Sequence, residues 1–90
     1  MKDLLHEFAE RDFSAEEMWD VFDWLRDIES DMRALRIHRK HGHIDFVLND
    51  KIELHNDVRA LQSALKELDL DYDAKDLLES ETLKELEGEQ

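Results

Sequence analysis

The residues whose type and spacing best suggest a chemistry are five acids. Glu16, Asp20, Asp23, Asp27 and Asp31 follow one another at steps of 4, 3, 4 and 4. On an α-helix those steps keep all five on one stripe, with a carboxylate about every 5–6 Å over ~22 Å. The usual relief for such a face is a base one turn after each acid, and it is largely missing. A row of this kind attracts basic surfaces and repels polyanions. It is sparser than duplex DNA, which carries one charge per ~1.7 Å of axis. A solvated face that serves only solubility fits the same pattern.

Three histidines make the second candidate. His38, His41 and His43 sit in the run Arg36-Ile-His-Arg-Lys-His-Gly-His43. Imidazole is a good metal ligand, and Asp45 is near. No second His/Cys pair stands at zinc spacing, and Arg36, Arg39 and Lys40 would oppose a cation. Basic residues complementing the negative end of a helix explain the run better. Arg33, Arg36, Arg39 and Lys40 suffice for a small anion, but the acidity of the rest of the chain opposes nucleic acid.

Trp19 and Trp24 flank an apolar stripe on the same predicted helix. Packing explains at least one of them, and an anchor for a partner is the alternative. The chain has no glycine-rich phosphate loop, no nucleophile elbow and no His-Glu-x-x-His. No enzyme activity, cofactor or metal is expected.

The elements that must position these residues are helical. Gly42 is the only glycine before Gly88, and there is no proline. Ser14 followed by Glu17 is a capping box, with Phe13 and Met18 at the staple positions. From there Met18, Val21, Phe22, Leu25, Ile28, Met32 and Leu35 recur at helical spacing as far as a basic last turn. Gly42 suits the left-handed cap that ends such a helix. Residues 44–68 continue a heptad-like pattern of similar length. Reflection about the bend His41-Gly42-His43 sets Leu35 against Leu48, Met32 against Lys51, Leu25 against Val58 and Met18 against Leu65.

Residues 43–55 also read at period 2, with Asn49-Asp50 as a turn. Asn-Asp is a weak hairpin pair, and the helix reading is preferred. A short helix is predicted over 3–11, with Leu4, Leu5, Phe8 and Ala9 on one face. Asp71 or Asp73 is predicted to cap a last helix over 74–86.

The expected fold is therefore all-α: a long antiparallel helical hairpin (14–41 and about 44–68) with short terminal helices packed on it. The alternative is α+β with a β-hairpin at about 43–55. A single small domain is expected over 1–86, with a disordered tail at 87–90.

Twenty-five acids against twelve bases give a net charge of −13 over 90 residues. Residues 1–30 and 69–90 each carry −7, while residues 31–43 carry +3. Periodic apolar residues argue against disorder despite that charge. The absence of cysteine excludes a disulfide framework. The N-terminus lacks an apolar core of signal-peptide length, and the longest apolar run, Phe46-Val47-Leu48, is far short of a membrane span. A cytoplasmic protein is expected, with no membrane and no direct nucleic-acid partner.

These features point to a small binding protein that occupies a basic, nucleic-acid-binding surface of another protein. The expected contact residues are Glu16, Asp20, Asp23, Asp27, Asp31, Trp19 and Trp24. Small acidic inhibitors made by phages and mobile elements are of this kind, an analogy of charge and size. The alternative is a coiled-coil oligomerising adaptor or assembly chaperone, which would pair two chains through surplus heptad positions.

Overall fold

The computed structural model describes residues 4–87, with side chains from residue 6 onward. Helices α1 (Leu4–Glu10), α2 (Ala15–Lys40) and α3 (Ile44–Glu67) are followed by a 3-10 turn, Ala74–Leu77, and by α4 (Ser80–Glu87). The fold is all-α, a long helical hairpin of α2 against α3 with short helices at its ends. No strand occurs among the described residues, and residues 44–55 of the stretch that also read as a β-hairpin lie within α3, with His43 as its N-cap. The period-2 look has a helical origin. Phe46 falls off the core face by its place in the helical turn, and it stacks on His38 with ring centroids 5.0 Å apart.

Local signals set the ends of the hairpin. The Ser14 hydroxyl accepts the Glu17 amide at 3.2 Å, and the Glu17 carboxylate accepts the Ser14 amide at 2.9 Å. The hydrogen bonds from Ser14, the backbone one first, hold the Glu17 carboxyl below its usual range. Both long helices stop in the same way. His43 N–H donates to His38 C=O and Gly42 N–H to Arg39 C=O, with Gly42 at φ +72°. Leu70 N–H donates to Leu65 C=O and Asp69 N–H to Lys66 C=O, with Asp69 at φ +56°. Each is a Schellman motif, whose left-handed residue satisfies carbonyls the helix end leaves open.

The core is the α2–α3 seam. Val21, Ile28, Met32 and Leu35 from α2 are buried with Leu54, Val58, Leu61 and Leu65 from α3. Phe8 closes the open end, edge-on to Phe13 and Phe22 at 5.3 and 5.6 Å, while Ala9 is exposed. The side chains of Leu4 and Leu5 lie outside the described residues, as do residues 88–90 of the expected tail, whose first residue, Glu87, instead ends α4. Arg11 bonds the carbonyls of Asp69 and Leu68, joining the first loop to the end of α3.

The register corrects the reflection about the bend. Pairing Leu35 with Leu48 would set Asp45 opposite His38, yet His38 Nδ1 is 2.5 Å from Asp50, five residues further on. The first turns of α3 therefore overhang the end of α2. Leu48 is 55% exposed, whereas Leu35 and Leu54 are buried. The expected last helix is also divided. Asp73 caps the 3-10 turn through the Lys75 amide, Leu78 is extended, and α4 begins at Ser80. The break turns both Leu77 and Leu78 toward a cleft of about 210 Å³ beside Ile28 and Met32 of α2.

Candidate acidic docking face

Helix geometry gives α2 two flanks. Glu29 and Arg36 lie beside the 3-10 turn and α4. Arg36 grips Glu81 with two bonds of 2.7 and 2.9 Å, and Arg39 holds Glu85 in the same manner. The other flank carries Asp20, Trp24, Asp27, Asp31, Ala34 and His38 at steps of four and three. It meets an equivalent stripe of α3 made of Phe46, Asp50, Glu53, Asp57, Ala60, Ala64 and Glu67.

The two stripes run antiparallel in one register. Asp20 and Trp24 line a groove with Ala60, Ser63, Ala64 and Glu67. Asp31 lies against Asp57, with Glu53 and Asp27 near. His38 bonds the buried Asp50. Neither stripe contains a lysine or an arginine.

At the centre of this face two carboxyl groups meet. Asp31 is half-buried, and its Oδ2 is buried without a hydrogen-bond partner. Burial, then the hydrogen bond to Asp57, then the charges of Asp57, Glu53 and Asp27 push the Asp31 carboxyl up to about 8. A proton between the two acids relieves the repulsion, as it does in other carboxylate pairs. Asp27 and Glu53 are exposed beside the pair, and Asp20 and Glu67 are exposed further along the face.

The predicted contact residues thus separate. Asp20, Trp24, Asp27 and Asp31 come together on this face. Glu16 is exposed in the first turn of α2, where its charge complements the helix dipole. Asp23 is half-buried and bonds Arg26 at 3.0 Å. Trp19 is 60% exposed in an apolar groove with Ala15, Met18 and Phe22, away from Trp24. Trp24 packs partly against the core. The stripe therefore borders the apolar seam.

Glu53, Asp57 and Glu67 belong to the face although the sequence reading did not single them out. Their signal is the unbroken step pattern 46, 50, 53, 57, 60, 64 and 67, a second polar and small-residue stripe on α3. The last helix lies on the opposite flank of α2, with Glu81 and Glu85 engaged by Arg36 and Arg39.

At the bend, His38, His41, His43 and Phe46 form a ring cluster with centroids 5.0–6.2 Å apart. Among the described residues no group of three or more His, Cys, Asp or Glu side chains is arranged to hold a metal ion. None of the described helices is long and apolar enough to cross a membrane.

Comparison with protein-family models, with curated proteins and with solved structures gives no significant match.

Proposed function

We propose that the protein captures a basic partner through the α2–α3 acidic face, standing in for nucleic acid on that partner and so inhibiting it. One observation supports this reading above the others: two base-free acidic stripes meet with Asp31 and Asp57 pressed together. Six acids, Asp20, Asp27, Asp31, Glu53, Asp57 and Glu67, share a length of ~21 Å, about one per 4 Å. That is denser than the α2 stripe by itself, and nearer to a duplex. A guanidinium from the partner takes the place of the proton between Asp31 and Asp57. Trp24 offers an indole face beside the acids, where a cation gains a further attraction. The exposed acids around them steer the encounter.

In this reading the chain is a cytoplasmic binding protein and not an enzyme. The test is capture from a nuclease-treated source-cell lysate, with wild-type protein and the Asp20→Lys/Asp27→Lys/Glu53→Lys variant side by side. The expected result is a nucleic-acid-binding protein held by the wild type, absent from the variant and released by added duplex DNA. An identical catch on both proteins would remove the acidic face from the function.

A further inference from the structure

Trp19 takes no part in the acidic face, yet it is 60% exposed. With Ala15, Met18 and Phe22 it lines an open hollow of about 250 Å³. The spacing explains the shape. Ala15 and Trp19 are one turn apart, and the small alanine leaves room beside the indole. Met18 and Phe22 make the inner wall, since both pack partly against the core, and Phe8 stands edge-on to Phe22 at 5.6 Å. The hollow is therefore backed by packed side chains and has room for one large apolar side chain from outside.

The charges around the hollow select what can fill it. No lysine or arginine occurs between Arg11 and Arg26, whereas Asp12, Glu16, Glu17, Asp20 and Asp23 all do. Glu16 and Asp23 come three before and four after Trp19, so they are its neighbours on the helix surface. Asp12, Glu16 and Asp20 are exposed. Arg11 bonds the carbonyls of Leu68 and Asp69, and Arg26 bonds Asp23 at 3.0 Å. A second copy would set these acids against the same acids. Nucleic acid and an anionic membrane surface meet the same repulsion. A chain segment that joins an apolar side chain to flanking cations gains twice. Its apolar group leaves water, and its cations face Glu16 and Asp20. One cation can also lie over the indole.

We propose that the Trp19 hollow docks such a segment of a basic protein, with one large apolar side chain in the hollow and lysine or arginine to either side of it. Tryptophan is prominent among the few residues that carry most of an interface's energy. This inference rests on the reading of a basic partner, and it adds a contact that does not involve Asp31 or Asp57. Asp20 joins the two surfaces, being next to Trp19 in the chain and beside Trp24 in the groove of the acidic face.

Fluorescence anisotropy with two labelled helical peptides tests this. One is an amphipathic peptide of leucine and lysine, and the other has glutamine for every leucine at the same charge. Wild-type protein is expected to hold the leucine peptide more tightly. Trp19→Ser, at an exposed site, is expected to lose about thirtyfold of that affinity and to leave the glutamine peptide unaffected. The same preference for leucine is expected in Asp27→Lys/Glu53→Lys, which keeps the hollow and its acids. A leucine peptide held equally by wild type and Trp19→Ser overturns the proposal. Equal binding of both peptides, abolished in Asp27→Lys/Glu53→Lys, overturns the hollow and leaves the acidic face standing. Failure of both peptides to bind the wild type overturns the basic-partner reading and this inference together. Should Trp19→Ser lose its helical signal, Ala15→Lys decides. It sets a cation at an exposed position in the hollow, and an unchanged affinity for the leucine peptide overturns the proposal.

Discussion

Asp31 on α2 and Asp57 on α3 face one another across the helix seam, and burial with the neighbouring acids holds the Asp31 carboxyl up to about 8. The folded state therefore keeps a proton that the unfolded chain gives up near the ordinary Asp value of ~3.9. Stability from this proton is fully present below the unfolded value and is lost as pH rises through about 8. Thermal unfolding from pH 5 to pH 9 is expected to show a falling Tm. Asp31→Asn keeps a neutral donor at the site. It is expected to flatten that fall and to raise Tm by a few degrees at pH 8, on the scale of ~4–8 °C per kcal/mol for a domain this size. An unchanged pH profile in the variant would remove the proton from between the two acids.

The pair at the bend behaves differently, because its members differ in charge type. Asp50 is buried and its partner His38 is half-buried, 2.5 Å away. His38→Ala leaves an acid in the seam without its hydrogen bond, at a cost of ~1–3 kcal/mol. Adding Asp50→Leu to that variant removes the stranded acid and is expected to restore most of the loss. Denaturant midpoints of the two single variants and the double variant measure this. A double variant no better than His38→Ala would show that the pair does not act as a unit.

How much of this was legible in the sequence depends on whether the signal was local. The Ser14–Glu17 box, the basic last turn of α2 and Gly42 are local, and α2 ends where they place it. Asp69 takes the same left-handed role at the end of α3, and an aspartate there carries no distinctive mark. The α2 acids were visible as a stripe, but their neighbours were not. Which face of α3 meets Asp31 depends on a register five residues away from simple reflection, and that register is set by the seam as a whole. Asp50 shows why. As an acid it reads as surface in any one-dimensional pattern, and only His38 from the other helix accounts for its burial.

The attachment of α4 gives a third expectation. The Arg36 bond holds the Glu81 carboxyl below its usual range, and the Arg39 bond does the same for Glu85. Stability from lowered acids is present above the ordinary Glu value of ~4.3 and is lost as pH falls through the lowered value. Acid below pH ~4 is thus expected to loosen α4 while α2 and α3 stay paired. Hydrogen exchange of residues 80–87 checks this, with Arg36→Ala/Arg39→Ala expected to show the same fast exchange at neutral pH. Equal protection in that variant would mean that the half-buried Leu83 and Leu86 hold α4 without help.

Asp69 offers a fourth, at the Schellman turn closing α3. A residue with a side chain at φ +56° bears strain of ~1–2 kcal/mol that glycine escapes, offset by glycine's larger loss of chain entropy on folding. Arg11 bonds the Asp69 backbone carbonyl, so substitution keeps that contact. Asp69→Gly is expected to raise stability by up to ~1 kcal/mol, and Asp69→Val to lower it. Thermal unfolding of both variants measures the difference.

The central claim is that the α2–α3 acidic face binds a basic partner. The most direct measurement is the affinity of the captured partner for wild-type protein and for Asp20→Lys/Asp27→Lys/Glu53→Lys, titrated at increasing salt. The account predicts a wild-type affinity that falls steeply with salt and a variant that does not bind at any salt. Equal affinities for the two proteins, unmoved by salt, would contradict it.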